Sequence, residues 1–311
     1  MTHHRHARAH AGASGGAQFL DPKVLARIEN LELLARTVVD GFVAGLHRSP
    51  YLGLSLDFAE HRSYMPGDDI RDIDWRLWGR TDRYYVKLYE AETNASFAVL
   101  LDVSKSMSYG SGGVSKLDYA RFLAACLTYF SRQQRDRVGL LTFDDEVVEY
   151  VPPSVRNLDL VLHTLDRADP GRPGSLRKPL TRAAEIFQRK GVLVLISDFY
   201  EEPDEVLDAV RFLRGRGHDV IVFHVLDSAE LEFPFENASS FEDLESGEKI
   251  PIVPGRLRDQ YRALVQAHVA ELERRFTGDR VDYTLLDTSK PLDHALFRYL
   301  TIREKKRSRI R

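Results

Sequence analysis

Runs of apolar residues along the chain switch between a strand period and a helix period, and their order describes an α/β protein. Ala95 to Val103 is an apolar run carrying Asp102 at its end, and Lys116 to Arg132 follows with Leu117, Ala120, Leu123, Ala124, Leu127 and Phe130 on one helical stripe. Arg137 to Phe143 is the next strand. After a turn at Asp144 and Asp145, Val147 to Val151 alternates as an antiparallel edge would. Helices are expected at Leu158 to Leu165 and Lys178 to Gln188, separated by a Gly- and Pro-rich loop. VLVLISDF is a second wholly apolar strand, this time closing on Asp198. A helix over Glu202 to Arg214, strand Val220 to Val225, a long amphipathic helix from Leu257 to Phe276, strand Val281 to Leu286 and helix Leu292 to Tyr299 complete the series. This alternation predicts a doubly wound, mostly parallel sheet, Rossmann-like in layout, over residues 95–302.

Two segments break the rhythm. Residues 19–94 begin with a helix from Asp21, with Pro22 in its first turn and Leu25, Ile28, Leu31, Leu34, Val38 and Phe42 at helical spacing. A short strand is expected near Leu54 to Phe58. Ile73, Trp75 and Leu77 alternate with Asp72, Asp74 and Arg76, and Tyr84 to Tyr89 alternates again, so the two runs read as a hairpin-like β element. The acids Asp68, Asp69, Asp72 and Asp74 interleave with Arg71, Arg76 and Arg80 in a pattern that suits ion pairs rather than a calcium loop. Residues 227–255 form a late insertion, with strands at Leu231 to Phe235 and Glu248 to Val253 and a tight turn at Ser246 and Gly247. The first 18 residues are a low-complexity tail whose His3, His4, His6 and His10 carry no assigned role, and 303–311 is a basic, solvated end.

Composition narrows the function. With 44 Lys plus Arg against 47 Asp plus Glu, the net charge of -3 is not that of a protein built around nucleic acid. The single cysteine, Cys126, lies in an apolar helix pattern, which suits a reducing compartment. No run is long and apolar enough for a membrane span, and the N-terminus lacks an apolar signal region, so a cytoplasmic protein is expected.

The chemistry concentrates where buried strands end. Asp102 is followed by Ser104 and Ser106, and Asp198 closes an equivalent strand. In an open doubly wound sheet, ligands bind beyond the carboxyl ends of central strands where the strand order reverses. Two carboxylates with two hydroxyls, and neither thiolate nor imidazole, select a hard cation, Mg2+ or Mn2+. So few protein charges leave the ion open to a carboxylate from a protein partner.

The DVSKS run of Asp102, Ser104 and Ser106 resembles the metal-ion-dependent adhesion site (MIDAS) of von Willebrand factor type A domains. That resemblance implies an Asp ending a later strand, matched here by Asp198, and a Thr before a later helix, for which PGSLRKPL offers Ser175 one position out of register. The motifs PGDDIRDIDWR, RTDRYYVK, YEAE, HVLDSAELEFPF, FEDLESGE and LLDTSKPLDHALFRYL are similar to those of the bacterial domain of unknown function 58 family, with Gly79 where Ala is usual. The resemblance implies a non-enzymatic, type A-like adaptor for client-protein maturation, working with a MoxR-type AAA+ ATPase.

Taken alone, Asp and Ser at a strand end are also ordinary turn residues. The enzymatic alternative is a metal-dependent phosphohydrolase with Asp102 as nucleophile. Ser104 stands where such a site wants a second acid, and the chain has no phosphate-binding Gly-Lys-Ser/Thr loop, nucleophile elbow or zinc-protease helix.

Overall fold

The computed structural model describes residues 20–48, 61–65, 73, 75–87, 95–237, 239–244 and 247–310. The chain opens with helices α1 (Pro22–Leu25) and α2 (Leu31–Arg48). These are two helices where apolar spacing predicts one. The Asp21 side chain accepts the Lys23 amide to cap the first, and Asn30 accepts the Leu33 amide at the start of the second, so polar side chains restart the helix between them.

Strand β1 (His61–Ser63), helix α3 (Trp75–Thr81) and strand β2 (Tyr85–Lys87) follow, with β1 and β2 paired antiparallel. The expected strand through Ile73 and Leu77 is instead the approach to α3 and its first turns. Its alternation does not mark one buried face, because Ile73 is buried whereas Trp75 is 57% exposed. Trp75 and Trp78, three apart, meet edge-on at 6.2 Å, as neighbours on a helix do. The anticipated strand at Leu54 to Phe58, the His tail and most of the Asp/Arg ladder lie outside the described residues.

Next come β3 (Ser96–Asp102), α4 (Lys116–Gln133), β4 (Arg137–Phe143), β5 (Val147–Ser154), α5 (Leu158–Asp166), α6 (Arg177–Ile186), β6 (Gly191–Ser197), α7 (Pro203–Gly215) and β7 (Asp219–Leu226). After them follow α8 (Ser228–Glu232), β8 (Ser239–Glu242), β9 (Lys249–Ile252), α9 (Pro254–Gly278), β10 (Asp282–Asp287) and α10 (Asp293–Ile310). The main sheet runs β10-β7-β6-β3-β4-β5, parallel except for the antiparallel edge β5. Strand periodicity splits its side chains between two cores. Phe97, Val99 and Leu101 of β3 pack with α2, α4, α5 and α10, whereas Ala98 and Leu100 pack with α6, α7 and α9. Apolar side chains on both faces are why β3 and β6 read as continuous apolar runs.

The late insertion differs from its pattern at one end. Leu231 to Phe235 is not a strand, because Asp227 and Glu230 form a capping box that starts α8. The insertion's hairpin pairs β8 with β9 instead. At the other end of the chain the basic stretch begins inside a helix rather than as a solvated end. Arg303 of α10 reaches the fully buried Asp136 at 2.6 Å, and the same guanidinium nitrogen contacts the Tyr299 hydroxyl at 3.0 Å. Replacing Arg303 with Ala leaves the Asp136 carboxylate buried without its cation, and is expected to lower the unfolding free energy by about 3–5 kcal/mol in chemical denaturation.

Candidate functional site

The sheet reverses its winding between β3 and β6, so the carboxyl ends of these neighbours form the crevice in which open α/β sheets bind ligands. Register there matches Leu101 with Ile196, which puts Asp102 beside Ser197 and brings Asp198 to the same rim. Asp102 is 5% exposed and Asp198 3%. The Asp102 carboxylate accepts the Ser104 amide at 2.8 Å through one oxygen and the Ser197 hydroxyl at 2.5 Å through the other. The Ser104 and Ser106 hydroxyls stand 3.1 Å apart on the 3-10 turn Lys105–Ser108. Asp102, Ser104 and Ser106 are therefore gathered as their spacing predicts.

Asp198 is aimed by a strained backbone. Phe199 adopts a left-handed conformation, φ 47°, uncommon for a residue with a Cβ, and its amide donates to the Ser197 hydroxyl at 3.2 Å. Ser197 thus links both strand ends, receiving from the Phe199 amide and donating to Asp102. Phe199 is buried in the core beside α7 and α9, which holds the turn.

Ser175 arrives on the loop before α6. Its amide donates to the Asp144 carbonyl at 3.2 Å, and the Lys105 amide donates to the Arg172 carbonyl at 3.0 Å. Gly174 presses on the cluster: a Cβ there would stand 2.8 Å from the Ser104 Cβ. Glycine is what allows this approach. The structure therefore brings the Ser175 loop against Ser104, pinned by Asp144 at the end of β4.

The residue that sequence reasoning missed is Lys116. It opens α4, where Ser115 and Asp118 form a capping box, and its side chain is fully buried. Its ammonium donates to Asp198 at 2.7 Å and to Glu230 of α8 at 2.8 Å, and lies 4.6 Å from the centre of the Tyr200 ring. Burial alone would depress its pKa, but the two carboxylates outweigh burial and hold it above the ordinary lysine range. Glu230 is shifted up by burial despite Lys116. In sequence, Lys116 is an ordinary first-turn residue, and Glu230 lies more than a hundred positions away. The D-x-x-E spacing of Asp227 and Glu230 is the capping signature that could have pointed to a helix start there.

Asp102 has hydroxyl and amide partners but no cationic one among the described residues. Burial first, and then the Asp198 charge, push its pKa up to about 7. Asp227, a third acid at a strand end, is different. Burial would raise it, but hydrogen bonds from Ser111, the Ala229 amide and Thr288 hold its carboxyl below the usual range, which marks a structural acid.

The donor set suits a hard divalent cation: a buried, uncompensated carboxylate beside two hydroxyls, and no sulfur or imidazole among them. Such an ion would be held by Asp102, Ser104 and Ser106. Asp198 already has Lys116 on one oxygen. Among the described residues no three His, Cys, Asp or Glu side chains cluster as metal ligands, so the hydroxyls are essential to any such site.

This arrangement, a doubly wound sheet with an Asp-x-Ser-x-Ser loop at its switch point, is the von Willebrand factor A-like fold. A family model described as "Protein of unknown function DUF58" matches residues 60–271, and the chain belongs to that family. An uncharacterized protein of Mycobacterium tuberculosis is 29% identical over 265 residues, 83% of each chain. The crystal structure of the conserved hypothetical protein BatB from Bacteroides thetaiotaomicron is similar with TM-score 0.47 and 17% identity, covering 68% of this chain and 99% of that one. The SpRpn10 VWA domain is similar with TM-score 0.38 and 11% identity, covering 65% of this chain and 93% of that one. Another similar structure is titled an aerotolerance-related membrane protein from Bacteroides fragilis, with TM-score 0.46, 19% identity and coverage of 67% and 98%. With a membrane protein among chains of similar fold, the cytoplasmic placement expected from sequence is withdrawn. Among the described residues, no helix is long and apolar enough to cross a membrane.

Two measurements test this electrostatic layout. Lys116→Met strands Asp198 and Glu230 in the interior, and is expected to destabilise the protein by about 3–5 kcal/mol. In chelator, folded Asp102 retains a proton between its ordinary value of 3.8 and about 7, whereas the unfolded chain has lost it. Unfolding therefore releases a proton in this window, and stability falls as pH rises from 4 to 7. Thermal melts of the Asp102→Asn protein should lack that component of the decline.

Proposed function

We propose that the chain is a non-enzymatic, metal-dependent protein-binding adaptor whose contact point is the Asp102 loop. The observation that carries this reading is the buried Asp102 carboxylate, without a cationic partner among the described residues, beside the paired Ser104 and Ser106 hydroxyls at the sheet's switch point. Asp102, Ser104 and Ser106 would hold Mg2+ or Mn2+, which would supply a Lewis-acid centre able to take a carboxylate from a protein partner. Asp198 and Ser175 border the site, the former charge-balanced by Lys116 and the latter carried on the loop against Ser104. The family resemblance in the sequence motifs makes a MoxR-type AAA+ ATPase the first partner to test, with client-protein maturation or remodelling as the process.

The phosphohydrolase alternative is less well supported. It wants a second acid two positions after the nucleophile to protonate the leaving group. Ser104 holds that place, and its hydroxyl is turned to Ser106.

Calorimetric titration with Mg2+ or Mn2+ should show binding to the wild-type chain and none to Asp102→Ala. Equal heats from both proteins would remove the metal from this loop. Hydrolysis of a generic phosphate ester that disappears in Asp102→Ala would overturn the adaptor reading. Retention of a purified MoxR-type ATPase on the immobilised protein should be lost on adding chelator.

A further inference from the structure

A cavity of about 700 Å3 opens beside the Asp102 loop, within the size range of ligand pockets, roughly 300–1,000 Å3. One end is formed by Ser106 and Lys116, and the far wall by the late insertion and the first half of α9. Four rings, Phe233, Phe235, Phe241 and Tyr261, pack on one another there with centroids 4.6 to 5.6 Å apart. Phe233 is held in the left-handed region, φ 47°, with its amide on the Ala229 carbonyl at 2.9 Å. For a residue with a Cβ that conformation costs roughly 1–2 kcal/mol, and here it ends α8 and places a ring in the cavity wall. Ile250 and Leu264, 49% and 63% exposed, also line the cavity and extend its apolar wall to the surface.

The charges around this cavity have one prevailing sign. Among the described lining residues the acids are Glu230, Glu242 and Asp243 and the one base is Lys116, which is buried and ion-paired with Asp198 and Glu230. Glu242 also pairs with exposed Lys249 at 3.4 Å, an exposed contact that an incoming cation can replace at little cost. An apolar occupant therefore fits the walls, a basic flank fits the mouth and an acidic flank is repelled.

We propose that this cavity is the docking groove for an apolar, basic segment of a partner protein. Aromatic or aliphatic side chains fill the space under Phe233 and Tyr261, and a Lys or Arg sits beside Glu242 and Asp243. The inference deepens the proposed function, on which it rests for the partner being a protein. Ser106 belongs to both the oxygen cluster and the cavity wall, so a segment seated in the groove runs up to the Asp102 site.

The test uses two fluorescein-labelled peptides, acetyl-Lys-Leu-Phe-Leu-Lys-amide and acetyl-Glu-Leu-Phe-Leu-Glu-amide, titrated against the full chain with Mg2+ and with EDTA. The basic peptide should bind at least tenfold more tightly than the acidic one, in EDTA as well as in Mg2+. Leu264→Ser and Ile250→Ser, at exposed positions that leave the melting temperature unchanged, should each weaken it severalfold. The pair Glu242→Gln and Asp243→Asn should abolish the preference for the basic peptide. Equal affinity for both peptides, no binding of the basic peptide at millimolar concentration, or indifference to the Leu264 and Ile250 substitutions would each overturn the groove. Asp102→Ala separates the two readings. Peptide binding retained where metal binding fails supports the groove alone, and metal binding without peptide binding sinks the groove and spares the metal site.

Discussion

The buried ammonium of Lys116 is the contact on which the arrangement of this site depends. A lysine that keeps its charge wholly out of water needs opposite charge beside it, and here Asp198 and Glu230 supply it. Asp198 belongs to the rim of the parallel sheet, and Glu230 to the insertion that follows β7. One charge at the first turn of α4 thereby fastens the insertion to the switch point. Among the described residues it also divides the acids into two kinds, Asp198 with a resident cation and Asp102 without one.

That division gives the rim its chemical character. Asp102 is surrounded by hydroxyl and amide donors, and the nearby Asp198 charge adds to the cost of ionising it in the interior. A positive ion from outside would relieve that cost, which is the electrostatic basis of the cation proposed for this loop. The left-handed turn at Phe199 brings its amide to the Ser197 hydroxyl, and the absence of a side chain at Gly174 lets the Ser175 loop close on Ser104.

Much of the architecture was legible in the sequence because burial on both faces leaves a direct trace. The runs FAVLLD and VLVLIS are apolar without alternation, and each turned out to be a central parallel strand with a different core on either side. Asp102, Ser104 and Ser106 were legible for a similar reason, since local spacing alone gathers them on one turn. Less legible were segments whose pattern has two readings. Ile73 to Leu77 alternates as a strand would, yet Trp75 meets Trp78 at helical spacing, and Leu231 to Phe235 lost its strand to a capping box four residues wide. Arg303 sat in a basic run that looked solvated until α10 carried it to Asp136.

The sequence by itself determined the order of strands and helices from β3 to β7, the acids at the ends of two buried strands and the hydroxyl pair after the first, because each is set by neighbours within a few positions. Only the tertiary structure decided which acid is neutralised. Lys116, Asp198 and Glu230 are separated by 82 and 32 positions and have no shared pattern, so their meeting is fixed by the sheet register and by where α8 begins. It likewise decided that the aromatic residues of the insertion would stand together as the wall of a cavity reaching Ser106, since ring packing across the insertion and α9 is a property of the folded chain and not of any one stretch of it.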